Sequence, residues 1–329
     1  MKKASTALTF RKNVVQYWYS SSITDRKKEL MLDFRPITLQ DKNILHDFFY
    51  RADGYGAEAS FVTLYLWGDQ KVALFEGEPV ILSKFTSESY AFPAGNRDLK
   101  GTVEAFLTDS AERGFPCRIF GLLEPDIARL EALFPGRFHF RPVRNSFDYI
   151  YEIDHLADLH GKKLQGKRNH CNHFEEAYPD FRILPLDAVQ LPRCREFTAQ
   201  WYAAHLENGA EEDDFAGERI AIGKAFDAYE SLGLEGLVLE VGGEVYAFCI
   251  GNQIRKDVFD VNFEKALPQV NGAYAIINRE FARHIREKYP DIRYLNREDD
   301  MGIEGLRRAK ESYTPDILLE KYLAEELTQ

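Results

Sequence analysis

Apolar residues in short alternating runs, joined by Gly-Glu steps, recur twice along the chain. Val72-Ala-Leu-Phe-Glu-Gly-Glu-Pro-Val-Ile-Leu82 is one such stretch and Leu237-Val-Leu-Glu-Val-Gly-Gly-Glu-Val-Tyr-Ala-Phe248 is the other. Each predicts a β-hairpin turning at glycine. A further strand follows each hairpin, Ser89-Tyr-Ala-Phe-Pro93 in one case and Val258-Phe-Asp-Val-Asn-Phe263 in the other. Next comes a loop with a glycine (Gly101; Gly272) that opens an amphipathic helix, predicted over 102–113 and 273–288. Another strand (Cys117-Arg-Ile-Phe120; Ile292-Arg-Tyr-Leu295), an acidic turn (Glu124-Pro-Asp126; Glu298-Asp-Asp300) and a helix ending near Pro135 or Pro315 complete each copy. Corresponding points drift apart slowly, as two copies of one unit with small insertions would. The order hairpin, strand, helix, strand predicts an α/β (α+β) fold with mixed sheets and helices packed on them.

Charge divides the chain unevenly. The whole carries −11, residues 1–30 carry +5, and the rest carries −16. The first thirty residues have no helical period and read as a loose basic tail or an upstream mis-start. Folded sequence is expected to begin near Met31, with one domain over 31–153 and a second over 154–329. Four scattered cysteines form no CxxC pair, which argues against a disulfide scaffold or zinc ribbon and fits a reducing cytoplasm. No apolar run approaches the roughly 20 residues of a spanning helix, so no integral membrane association is expected. An acidic body argues against nucleic-acid binding by bulk charge, though a local basic groove is compatible with it.

Four segments carry candidate chemistry. On a helix beginning near Gly161, the residues Leu164, Lys167/Arg168, Cys171, Phe174 and Tyr178 share one face. Two bases on an inward stripe either reach out to solvent or meet an anion. His170 and His173 have no third ligand partner, and no metal site is expected. In Val258–Glu264, alternation puts Asp260, Asn262 and Glu264 on one face, either a site floor or a half-solvated sheet surface. The turn Asn271-Gly272 opens a helix whose free N–H groups suit phosphate or carboxylate. The run Asn296-Arg-Glu-Asp-Asp300 ends a strand, and Lys310 lies on the apolar stripe of the helix that follows. That arrangement is a substrate-charge reader or a structural ion-pair network.

Gly305-Leu-Arg-Arg-Ala-Lys310-Glu-Ser-Tyr-Thr-Pro315, with Lys321-Tyr-Leu323, is similar to the C-terminal signature of the phosphatidylglycerol lysyltransferase C-terminal domain family. Gly161-Lys-Lys-Leu-Gln-Gly-Lys-Arg168-Asn169 and Asn271-Gly272 resemble two further segments of that family. The resemblance implies two tandem GNAT-like acyltransferase domains. It implies kinship with enzymes that move an aminoacyl group from charged tRNA to an amine or hydroxyl. Two departures bear on this. No membrane-embedded region is present, and the acetyl-CoA loop pattern is broken, with Tyr274 where a small residue is needed.

These readings place the site in the second domain and leave the first mainly structural. Glu264, Asp299 and Asp300 are the candidate bases, and Lys310 or the N–H groups near Gly272 are the candidate oxyanion donors. Lys167, Arg168, Asn169, Asn271, Asn296 and Arg307 are candidates to hold the phosphate or the substrate. Aminoacyl-tRNA is the expected donor and a small-molecule or peptide amine the expected acceptor. Two alternatives remain, a CoA-dependent N-acyltransferase with an acyl-CoA donor and a non-catalytic binding module.

Overall fold

The computed structural model describes residues 32–327 except 53, 85–86, 94, 96–97 and 208–214. The basic leader expected over 1–30 lies outside the described residues. In the first part of the chain come β1 (Arg35–Pro36), α1 (Lys42–Ala52), α2 (Phe61–Leu66), β2 (Asp69–Phe75), β3 (Glu78–Lys84) and β4 (Glu88–Ala91). They are followed by α3 (Leu99–Arg113), β5 (Arg118–Leu122), α4 (Glu124–Leu133) and β6 (Phe138–Pro142). The middle holds β7 (Asp148–Glu152), α5 (Ile153–Asp158), α6 (Gln165–Ala177), β8 (Arg182–Pro185), α7 (Gln190–Glu207), α8 (Ala216–Asp227) and α9 (Tyr229–Leu232). The last part is β9 (Glu235–Val241), β10 (Glu244–Gln253), β11 (Val258–Ala266), α10 (Ala273–Lys288), β12 (Tyr294–Asn296), α11 (Glu304–Glu311), β13 (Ile317–Leu319) and β14 (Tyr322–Glu326).

Both glycine hairpins form. Glu76 and Gly77 (φ 51° and 82°) and Gly242 and Gly243 (φ 58° and 90°) put two consecutive left-handed residues in each turn. That is the twist two-residue hairpins need. The second helix matches its predicted span, whereas α3 starts three residues early. Asp98 caps α3 by accepting the Gly101 N–H at 2.9 Å, so Gly101 lies inside the first turn rather than in a loop. The acidic run Glu124-Pro-Asp126 is likewise the first turn of α4, where Asp126 accepts the Leu123 N–H.

Among the described residues the strands form two seven-stranded sheets ordered β1-β2-β3-β4-β5-β14-β6 and β13-β7-β12-β11-β10-β9-β8. Read from the opposite edge, the second sheet repeats the first position by position. Each contains one parallel pair, β4 with β5 and β11 with β12. The sixth place in each sheet is exchanged: β14 lies between β5 and β6, and β7 lies between β12 and β13. The expected boundary between 153 and 154 therefore does not separate the sheets. Each half lends the other a strand.

Three cores follow from this. Buried Phe259, Ile276, Phe281, Cys171 and Phe174 join one face of the second sheet to α5, α6 and α10. The opposite face packs through Phe248 and Phe263 on α2, α7 and α8, with Phe61, Trp201 and Phe226. Val72 and Ile81 extend that core into the first half with Leu45 and Phe49 of α1. A separate core joins Val80, Tyr90 and Ile119 to Val103 and Phe106 of α3.

Candidate active site

β11 and β12 run parallel only over Val258–Asp260 and Tyr294–Asn296. β11 continues to Ala266 while β12 ends at Asn296, so the two strands part in a wedge at their carboxyl ends. Ligands of α/β sheets bind at such places.

A bulge in β11 divides the residues that line this wedge. Phe263 opposes Ile250 and Val261 opposes Gly251, so Asn262 is an extra residue. An inserted residue reverses the alternation beyond it. Asp260 and Asn262 therefore face the first half, while Glu264 faces α10. The single polar face expected from the period of two is not formed. Gly251 is required opposite the bulge, because a Cβ there would stand 2.1 Å from the Asp260 carbonyl oxygen.

On the α10 side, Glu264 accepts Arg297 Nη2 at 3.1 Å and Asn278 Nδ2 at 2.8 Å. Arg297 Nη1 is buried and has no partner among the described residues. Lys167 projects from α6 with Nζ 3.9 Å from the Tyr313 ring centroid, and the Arg297 guanidinium lies 4.9 Å from the same ring. Burial, with Arg297 nearby, lowers the Lys167 pKa to about 8. Two cations thus lie near one carboxylate that, of the two, bonds only to Arg297, leaving a position that suits an anion or a polarised carbonyl.

On the other side carboxylates predominate. Asp148 is fully buried and accepts Lys321 Nζ at 2.7 Å, Asn296 Nδ2 at 2.9 Å and the Ala57 N–H at 2.8 Å. Lys321 also donates to Glu58. Asp260 accepts Asn262 Nδ2 at 2.9 Å, while its Oδ1 has no partner among the described residues. Asn262 also reaches Glu298 at 3.4 Å, and Thr63 reaches Asp260 at 3.4 Å. Burial, then the Asp148 charge, raises the Asp260 pKa to about 8. Burial, then Asp260, raises Glu298 well above the carboxylate range. Asp299 is raised to about 6, chiefly by burial and further by Asp148. Glu58, Asp148, Asp260, Glu298 and Asp299 thus share Lys310 and Lys321. Fully ionised, this set carries an excess of negative charge, and burial without a counter-charge is costly. Glu298 has φ 55°, a left-handed backbone in a residue with a side chain, and its N–H is fixed by Asn296 Oδ1 at 2.8 Å. Strain of this kind clusters at working sites.

Several sequence candidates have other roles. Asp300 is fully buried and accepts Arg144, Arg307, the Tyr149 hydroxyl and the Gly302 N–H. Burial opposes its ionisation, yet the Arg307, Tyr149 and Gly302 hydrogen bonds hold its pKa well below the usual range, so it is no base. Arg307 is committed to Asp300 and Asn145 rather than to phosphate. Arg168 is committed to the carbonyls of Leu159 and Gly161, closing the turn before α6. Asn169 is exposed and accepts Gln165 Nε2. Asn271 contacts His170 at 2.8 Å. Gly272 has φ 91°, and a Cβ there would stand 2.2 Å from the His170 carbonyl oxygen. Its bare face receives the α6 backbone, at the turn expected to suit phosphate or carboxylate. Lys310 is buried and donates to the carbonyls of Arg297 (2.6 Å) and Asp299, tying down the loop after β12. Burial lowers its pKa. Asn296 is fully buried and joins Asp148 to Tyr55.

The wedge therefore gathers Glu264, Asp299, Lys310, Lys167 and Asn296. Sequence reasoning passed over Arg297 and Glu298 within its own acidic run. It also missed Glu58, Thr63 and Asp148, so the first half lines the site. Lys321 stood in the C-terminal signature, but only its burial marks it out.

Two sheets of equivalent strand order, each with a parallel pair that separates beside a helix, define a protein of two tandem GNAT-like domains. The chain belongs to the phosphatidylglycerol lysyltransferase C-terminal family, whose pattern it matches over residues 50–325. A conserved protein of unknown function from Bacteroides thetaiotaomicron VPI-5482 is 37% identical, with TM-score 0.83 over 90% of this chain and 100% of that one. The C-terminal domain of a protein described as a lysylphosphatidylglycerol synthetase, from Agrobacterium fabrum, has the same fold at 16% identity and TM-score 0.62, over 88% and 92% of the two chains. An uncharacterised Mycoplasmoides gallisepticum protein is 25% identical over 181 residues, which is 54% of this chain and 56% of that protein. The match thus spans little more than half of that relative. Among the described residues, no helix is long and apolar enough to cross a membrane.

Proposed function

We propose that the protein transfers an aminoacyl group from the ester end of a charged tRNA to an amine or hydroxyl acceptor in the wedge between β11 and β12. The excess of buried carboxylates below the wedge carries this reading. An aminoacyl group brings an ammonium, which Asp260 and Glu298 would receive; an acetyl group brings none. Arg297 and Lys167 lie on the opposite side, where the ester carbonyl gains negative charge as it is attacked. Asp299, half-buried and titrating near 6, is suited to take the acceptor's proton. The acceptor nitrogen or oxygen bonds to the carbonyl carbon, the carbon–oxygen ester bond breaks, and the ribose oxygen leaves with the proton. Family membership supports the same class of chemistry.

Transfer of labelled amino acid from charged tRNA to candidate acceptors tests this. Glu298→Gln and Asp260→Asn are each expected to lower turnover by about a hundredfold. Unchanged turnover in both would overturn the assignment. Saturable stabilisation by acetyl-CoA would favour the CoA-dependent alternative instead. The packing of Gly272 on α6 argues against that alternative.

A further inference from the structure

A cavity lies near the start of β11. It has a volume of about 220 Å³ and is walled by both halves: Lys42 and His46 of α1, Ser60 and Phe61 at the start of α2, and Asn252 and Phe259 of the second sheet. Asn252 pairs with Asp260 across the ladder and Ser60 lies next to Thr63, so the cavity borders the acidic side of the wedge but is lined by different residues. At roughly 30 Å³ per liquid water, the space holds about seven waters, or one small organic molecule.

The lining selects a charge. Among the described residues no Asp or Glu lines this cavity, whereas Lys42 and His46 do. Two donors face the space, beside one acceptor without a partner among the described residues, Asn252 Oδ1. The Lys42 ammonium makes one hydrogen bond, to the Ser231 carbonyl at 2.7 Å, and has two more protons to give. Ser60 Oγ accepts the Thr63 N–H and Asn252 Nδ2, both at 3.4 Å, which leaves its own proton available. Phe61 and Phe259 supply ring surface beside these donors, which suits a flat or apolar body. We propose that this inter-half cavity binds a small organic anion, a carboxylate on a flat apolar body, with the carboxylate on Lys42 and Ser60.

Calorimetric titration of the full chain with benzoate, and with benzylamine as the same body of opposite charge, tests the site. Saturable binding of benzoate, little or none of benzylamine, at least about tenfold weaker benzoate binding in Lys42→Gln, and recovery in Lys42→Arg are expected. Circular dichroism and unligated Tm establish that both variants are folded. Equal responses to the two probes, no saturable benzoate binding, or full affinity in a folded Lys42→Gln would overturn the proposal.

Discussion

Asp148 and Lys321 form a buried ion pair, Oδ1 to Nζ 2.7 Å, where the two exchanged strands begin. Asp148 is the first residue of β7, which completes the second sheet. Lys321 directly precedes β14, which completes the first. The pair sits at the crossing of the exchange and also forms the floor of the acidic side of the wedge. One contact thus couples the architecture to the site.

Removing one partner of a buried pair leaves an uncompensated charge. Lys321→Met is expected to destabilise the protein by about 3–5 kcal/mol, because Asp148 and Glu58 both lose their counter-ion. Urea unfolding measures this. A loss below about 1 kcal/mol would show that the exchange does not depend on the pair.

Stability should fall with rising pH through the site. The Asp260 pKa is raised from 3.8 to about 8, so the folded state holds a proton that the unfolded state has lost across that window. Its contribution is fully present below pH 3.8 and is lost as pH rises to about 8. Asp260→Asn cannot lose that proton and should flatten the decline in urea midpoint between pH 4 and pH 8. A parallel decline in the variant would rule out Asp260 as its source.

Lys167 should matter to turnover and little to stability, since its side chain is only half-buried and makes no ion pair with a carboxylate among the described residues. Lys167→Met is expected to reduce kcat/KM by about tenfold to a hundredfold while shifting Tm only slightly. Because the ammonium titrates near 8, wild-type turnover should fall as pH rises through that value, and the variant should lack this limb. A variant with full activity would remove Lys167 from the site.

Gly272 is held by packing. With φ 91° and the His170 carbonyl oxygen 2.2 Å from the position of a Cβ, Gly272→Ala requires α10 and α6 to separate. A loss of about 2 kcal/mol or more is expected, from backbone strain and lost packing together. A stable variant with impaired ligand binding would restore the phosphate-cradle role to this glycine.

Local features were legible in the residues. Both hairpins, the span of α10 and the repeated order of elements follow from turn glycines and apolar spacing, which act over a few neighbouring residues. The stripe Leu164, Cys171 and Phe174 is buried as its spacing predicts, because helical periodicity is local. Lys167 stood out because a base on such a stripe conflicts with its surroundings.

The roles of single polar groups were less accessible. Arg168 and Lys167 are adjacent in sequence and alike in charge, yet one closes a turn and the other stands over Tyr313. Asp299 and Asp300 are also adjacent, yet one is raised to about 6 and the other is held low by Arg307 and Tyr149. Burial and partners decide these outcomes, and partners come from distant segments.

The residues by themselves determined a duplicated α/β chain, its turns and its helices, because hydrophobic period and backbone preference act within one element. Only the tertiary structure decided that β7 and β14 change places, that a bulge at Asn262 turns Glu264 away from Asp260, and that Glu58 and Thr63 reach the site. Strand pairing, ladder register and the meeting of buried charges are set by contacts between segments far apart in the chain, and no local pattern records them.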